Sequence, residues 1–285
     1  MWNNKALHIC NLHPLTIFLY YMLLFGLLVF MGNPYLYFSV FISSFILSIY
    51  FEGIDAINYL KKLSVIALLF VIINPLFSHE GMTIINYFPN GNAFTLESIY
   101  FGLGMAVLFL ATMFMFKVFS NSMNPDRWVE LFGNISPDFS LMISMIFRFI
   151  NRFKDTYKKI KLVNKDKSVF SCFSMLISYA LESSIDTADS MAARGYSLTK
   201  RSHLKRHKLR LMDIAVILIS IAFLGILIYC NKMNYFNFYY YPKLTLICND
   251  ITKYLLPILY IFYSMIPLIY QITEDIKWKF LRSII

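Results

Sequence analysis

Six blocks of apolar residues, at 15–31, 35–51, 63–77, 98–116, 211–229 and 251–270, alternate with polar breaks along the chain. Each approaches the ~20 residues that a helix needs to cross a bilayer. The pattern therefore predicts an all-α polytopic membrane protein with about six transmembrane helices. The breaks differ in chemistry. Gly32-Asn33-Pro34 ends the first block and Asn74-Pro75 ends the third. Residues 52–62 read as a charged connector closing on Lys61 and Lys62, 78–97 as a loop with Gly81, Pro89 and Gly91, and 231–250 as a Tyr-rich loop. Pro257 and Pro267 are expected to kink the sixth span, and 271–285 reads as a basic tail.

Between the fourth and fifth blocks the period changes from solid to amphipathic. Asn124-Pro125-Asp126 starts a short helix running to about Phe132. Ser136-Pro137-Asp138 is a stronger start, with Ser as N-cap, Pro in the first turn and an acid beside it. From there Phe139, Met142, Ile146, Phe149 or Ile150, Phe153, Tyr157 and Ile160 keep helical spacing, and no Pro or Gly intervenes before Ser168. That predicts a helix on the order of 45 Å long. Its apolar block is cut by Arg148 after nine residues, too short for a span. A third helix is expected from about Val169 to Arg194. Leu181, Ile185, Ala188 and Ala192 form its apolar stripe; Glu182, Asp186 and Asp189 lie beside it as an acidic stripe. Ser183, Thr187 and Ser190 form a third, narrow stripe of small residues that ends in Arg194, and Gly195 follows where helices commonly stop in a left-handed residue. Three regions result: 1–120 with four spans, 121–210 with two long amphipathic cytoplasmic helices, and 211–285 with the remaining spans and tail.

Composition supports the membrane reading, with 58% hydrophobic residues among 285. The formal charge of +10 does not point to nucleic acid, because the cations lie between the spans. Their bias orients the chain. Lys61, Lys62, Lys277, Lys279 and Arg282 belong on the cytoplasmic side, as does the cation-rich region 117–210, while 78–97 carries no Lys or Arg and belongs outside. Both termini are then expected to be cytoplasmic in a multi-pass protein of the cell membrane, with Lys232 and Lys243 running against the bias. No small-residue cleavage site follows the first block, so it is expected to stay. The four cysteines make no C-x-x-C pair. Cys230 and Cys248 flank the Tyr-rich loop, and isolated apolar thiols are the expected state rather than a disulfide.

The chemistry of catalysis is thin. Asp186, Asp189 and Arg194 resemble the opening of the CDP-alcohol phosphotransferase motif, but Ser190 replaces its glycine, position 203 is His, and only Asp213 follows downstream. His8, Cys10 and His13 are a marginal metal set before the first span. His203 and His207 sit among Lys200, Arg201, Lys205, Arg206 and Lys208, a cationic field that suits a membrane surface better than a divalent ion. No P-loop, nucleophile elbow or HExxH is present. A non-catalytic chain without cofactor or metal is expected. The spans show neither clear ionisable groups nor paired broken helices, which weighs against the alternative of a self-contained secondary transporter.

In this order the pieces resemble the transmembrane T component of energy-coupling factor transporters, including its cobalt-transport permease branch. Leu12-His13-Pro14-Leu15-Thr16 resembles the family's opening. Asn74-Pro75-Leu76-Phe77, Gly81, Thr95-Leu96-Glu97-Ser98 and Gly102 resemble its third span, outer loop and fourth span. Phe147-Arg148-Phe149-Ile150 resembles the start of a coupling helix, and Ala193-Arg194-Gly195-Tyr196, followed by Arg201-Ser202, Leu211 and Asp213, resembles its most specific piece. The resemblance implies a scaffold subunit of an importer. Two separately encoded ABC-type ATPase subunits would each grip one helix tip, at Ala193-Arg194-Gly195 and at Asp166-Lys167-Ser168, where Lys167 stands for the expected arginine and Ser168 for glycine. Lysine keeps the charge but not the planar fork. A small substrate-binding membrane subunit would lie on Phe139, Met142, Met145, Ile146 and Phe149 of one helix and on Phe173, Met175, Leu176 and Ile177 of the other. Arg148 and Arg152 would meet Glu182 and Asp186 as ion pairs where the helices cross, with solvated charges as the alternative. The transported substrate, a vitamin or a transition metal, is not legible.

Overall fold

The computed structural model describes residues 12–87, 93–133, 136–196, 209–232, 236–248 and 252–284. The helices are α1 (Pro14–Met31), α2 (Pro34–Glu52), α3 (Ile54–Phe77), α4 (Leu96–Ser122), α5 (Pro125–Gly133), α6 (Pro137–Val163), α7 (Val169–Ala193), α8 (Leu211–Lys232), α9 (Thr252–Ser264) and α10 (Ile266–Ile284). Two antiparallel hairpins complete the described residues: β1 (Ile84–Tyr87) with β2 (Ala93–Thr95), and β3 (Phe236–Tyr239) with β4 (Thr245–Cys248). The protein is all-α in its architecture. Four helices, α2, α3, α4 and α8, are long and apolar enough to cross a membrane, and the bent pair α9–α10 makes a fifth if taken as one span. α1 is apolar but shorter.

The chain divides into two compact units, Met1–Met123 with His207–Ile285, and Asn124–Arg206. In the first, α2 packs on α3, α4 and α9, α4 also packs on α3, and α1 lies against α8 and α4. α2 approaches its neighbours through Ser39, Ser43, Ser44 and Ser48, all buried. Small residues let helices come close where no hydrophobic drive separates them from lipid. Three of the four hydroxyls are satisfied locally, Ser39 donating to the Leu36 carbonyl (2.9 Å) and Ser43 and Ser44 to that of Val40 (3.1 Å for Ser43), while the Ser48 hydroxyl has no partner among the described residues. Phe114 of α4 is fully buried among the rings of Phe41, Phe45 and Tyr59. The two loops join as well: the Met82 N–H donates to the Pro242 carbonyl (3.0 Å), and the hydroxyls of Ser78 and Tyr241 lie 3.1 Å apart.

Three expectations change here, and the expected kinks of the sixth block are met in part. Residues 52–62 are no connector, because Gly53, at φ 60°, turns the chain and α3 begins at Ile54. Ala56 and Leu63 are buried seven positions apart, so helical period carries through Asp55, Lys61 and Lys62, which point to solvent. The basic tail is likewise helical, with Lys277 bonded to Glu274 one turn back (2.9 Å). Both loops hold hairpins. The sixth block breaks at Met265, between α9 and α10, which are bent by 50°; Pro267 withholds the N–H a continuous helix would need, while Pro257 is accommodated inside α9.

In the second unit, α5 packs on α6, where Ser140 donates to the Val129 carbonyl (2.8 Å) and Phe132 meets Phe139 edge-on (5.2 Å). α6 begins as the sequence dictates: the Ser136 hydroxyl accepts from the Phe139 N–H at 3.5 Å, and Pro137 follows. Residues 164–168 turn the chain, and α7 runs back along α6 until Tyr196 reaches Asp138 in the first turn of α6 (3.5 Å).

Candidate coupling hairpin

Arg194 is the C-cap of α7 and is exposed. Its position is fixed by the backbone beyond it. Gly195, at φ 79°, donates its N–H to the Ala192 carbonyl (3.0 Å), and Tyr196 donates to the Met191 carbonyl (3.0 Å). This pair of bonds is the Schellman closure, and it needs a left-handed residue at Gly195. The guanidinium thus projects from the negative end of the helix dipole, where a cation is favoured.

Asp166, Lys167 and Ser168 are all exposed at the other end of the hairpin, but their local structure differs. Lys167 lies in the turn, its N–H bonded to the Asn164 carbonyl (3.3 Å). The Ser168 hydroxyl accepts from the Ser171 N–H (3.3 Å) as N-cap of α7. Serine here serves the helix that follows, whereas Gly195 closes the helix before it, so the two triplets are not structural equivalents. They stand at opposite ends of α7, whose 25 residues span ~37 Å.

A groove of about 540 Å³ runs between α6 and α7, lined by Arg148 and Arg152 on one side and by Glu182, Ser183, Asp186, Ser190 and Arg194 on the other. The four residues expected to pair across the crossing are therefore gathered in one place. Among the described residues, however, Arg148 and Arg152 form no ion pair with Glu182 or Asp186. Arg152 instead lies 5.8 Å from the centre of the Tyr179 ring, and Arg148 lies 5.9 Å from that of Phe149. The open groove keeps acids and bases hydrated, and exposed pairs gain only ~0–1 kcal/mol by closing.

The apolar stripes are open. Phe139, Met142 and Ile146 on α6 and Phe173 and Ile177 on α7 are exposed; Met145, Phe149, Met175 and Leu176 are half-buried. Phe149 stacks on Phe153 (5.5 Å), and Phe153 meets Tyr179 edge-on (6.4 Å). These stacks join the two helices without covering their outer faces.

Sequence reasoning missed three polar anchors. Lys117 of α4 pairs with Glu52 at the end of α2, sits 4.1 Å from the centre of the Tyr59 ring, and has Asn121 bonded to the same carboxylate (2.9 Å). Glu97, buried at the start of α4, accepts from the Thr83 N–H (3.2 Å) and hydroxyl (2.7 Å). Asp213, fully buried in the first turn of α8, accepts from the N–H groups of His13 (2.9 Å) and Arg210 (2.8 Å). Partners 14, 65 and 200 positions apart leave no periodic signal. His13 is no metal ligand in this setting: its Nδ1 accepts from the Leu15 N–H (3.2 Å) as the cap of α1. His8, Cys10, Arg201, Ser202, His203 and His207 lie outside the described residues. Cys172 and Cys230 are free thiols.

Asp186 and Asp189 gain no third ligand: no group of three or more His, Cys, Asp or Glu side chains is placed to hold a metal among the described residues. No protein-family model matches the chain, and no curated protein matches it.

Proposed function

We propose that the chain is the transmembrane scaffold subunit of an ATP-driven importer of the energy-coupling factor type, crossing the cell membrane six times with both termini in the cytoplasm. One observation carries the reading: a helical hairpin presents exposed cations, Lys167 and Arg194, at the two ends of a single 25-residue helix. A pair of like ATPase subunits offers two grooves, and this spacing gives each groove its own cation. Closure of the ATPase pair on ATP then moves the ends of α7 relative to the spans. The open stripe of Phe139, Met142, Ile146, Phe173 and Ile177 supplies the seat for a small substrate-binding membrane subunit, which methionine-containing faces accommodate by repacking. The chain itself catalyses nothing in this scheme and holds no cofactor. The cargo is a vitamin or a transition-metal ion.

Arg194→Glu tests the assignment. In the charge-reversed variant, ATPase subunits recovered with the tagged chain from native membranes should fall at least tenfold, and uptake should fall with them. The melting temperature of the spanning unit should stay within 2–3 °C of the parent, since Arg194 is exposed and surface changes shift stability by about 0.5 kcal/mol. Undiminished uptake would reject the proposal.

A further inference from the structure

A second cavity lies within the membrane-spanning unit and has no part in the coupling hairpin. It measures about 510 Å³ and is bounded by α2, α4, α9 and the strand β3, a size typical of small-molecule sites. Apolar side chains, among them Phe38, Ile42, Leu103, Val107 and Ile261, make its walls, and none of its lining residues is charged. Its position along the spans is fixed by sequence number. On α2 it extends from Pro34, the first residue, to Ile42; on α4 it extends from Tyr100, four residues past the start, to Val107. At ~1.5 Å per residue it therefore reaches roughly 10–15 Å down from the helix starts, about the depth of one leaflet's hydrocarbon.

The upper part of the cavity is lined with tyrosines: Tyr35, Tyr37, Tyr100 and Tyr240. Tyrosine sits with its ring in hydrocarbon and its hydroxyl at the headgroup level. Tyr240 is held in place by Gly104, since a Cβ there would come 2.5 Å from the Tyr240 oxygen. Phe101 and Phe238 grip its ring edge-on at 5.2 and 4.6 Å. Yet the Tyr240 hydroxyl is buried with no hydrogen-bond partner. A buried hydroxyl left unpaired costs about 1–3 kcal/mol, and a wall with no charge favours a neutral guest.

We propose that this cavity holds one acyl chain of a bilayer phospholipid, with the ester carbonyl of that chain accepting a hydrogen bond from the Tyr240 hydroxyl. The chain enters between α2 and α4 from the surrounding leaflet, and the headgroup stays outside among the tyrosines. The inference does not rest on the coupling role and survives its failure.

The full chain, reconstituted in nanodiscs of phosphatidylcholine carrying a photoreactive diazirine in one acyl chain, gives the test. Illumination and peptide mapping should place a dominant adduct on segments 38–42 and 100–107. Leu103→Trp, which fills the cavity, should lower that adduct at least fivefold, whereas Leu68→Trp on the exposed face of α3 should leave it unchanged. Tyr240→Phe, which keeps the ring, should reduce by severalfold the lipid retained after exchange into detergent. Adducts spread evenly over all exposed helices and indifferent to Leu103→Trp would mean annular lipid only and overturn the site. A crosslinked polypeptide at the same segments would overturn the choice of occupant. Unchanged retention in Tyr240→Phe would overturn the carbonyl bond.

Discussion

Gly195 decides what Arg194 can do. The residue sits at φ 79° and its N–H closes the last turn of α7 onto Ala192. A β-carbon in this region costs ~1–2 kcal/mol, and a branched one more. Gly195→Val should therefore unwind the end of α7 and let Arg194 wander, although the arginine itself is untouched. Under the proposed coupling role, the expected outcome is a loss of ATPase recovery close to that of Arg194→Glu, with faster amide exchange confined to residues 190–196. Gly195→Asn, a residue that tolerates the left-handed region, should restore most of the recovery. If valine and asparagine behave alike, the closure does not position the cation.

At the scale of elements, helix starts and stops were legible because they are local. Ser136-Pro137 and Arg194-Gly195 each act within four residues, and both ends lie where the sequence places them. What was hidden depends on partners far along the chain. The run 52–62 reads as a connector because charge masks period, and only the burial of Ala56 and Leu63 exposes the helix beneath. Strands of three or four residues carry too little alternation to announce a hairpin. The sequence offers facing charges on α6 and α7, as ion pairs or as solvated groups, and the structure gathers them in one groove without pairing them, since exposed side chains gain little by closing. The opposite holds for Glu52 and Lys117, which pair between α2 and α4 with both side chains half-buried. There, removing one partner strands the other charge. Glu52→Gln should lower stability by about 1–3 kcal/mol, read as a drop of several degrees in thermal melting of the purified chain. The double change Glu52→Gln with Lys117→Met should recover most of that loss. Were the double variant as unstable as the sum of the singles, the pair would be two independent contacts rather than one coupled anchor.

At the scale of the whole molecule, one unit is well tied and the other is sparsely packed. In the spanning unit, buried acids pin helix starts: Glu97 fixes the loop through Thr83, and Asp213 fixes the N-terminus of α1 through His13. Along α4, Glu97 and Lys117 are separated by 20 positions with no charged residue between them, a length of ~30 Å that matches the hydrocarbon core. In the other unit, α6 buries only Ser140 and α7 only Cys172 and Ser183. Elements with few buried apolar contacts open at low free energy, so α6 and α7 should exchange their amides well before α2 and α4 when the chain is alone in a nanodisc. Under the proposed coupling role, the hairpin transmits force only once its open faces are covered. If that role holds, adding the proposed ATPase subunits and small membrane subunit should slow exchange in α6 and α7 by at least tenfold, with α3 and α4 unchanged. Protection confined to residues 164–168 and 190–196 would mean that the ATPases engage the tips while the apolar stripe stays empty. Equal protection of every helix in the isolated chain would mean that the hairpin is already rigid, and a scaffold that waits for its partners would no longer describe it.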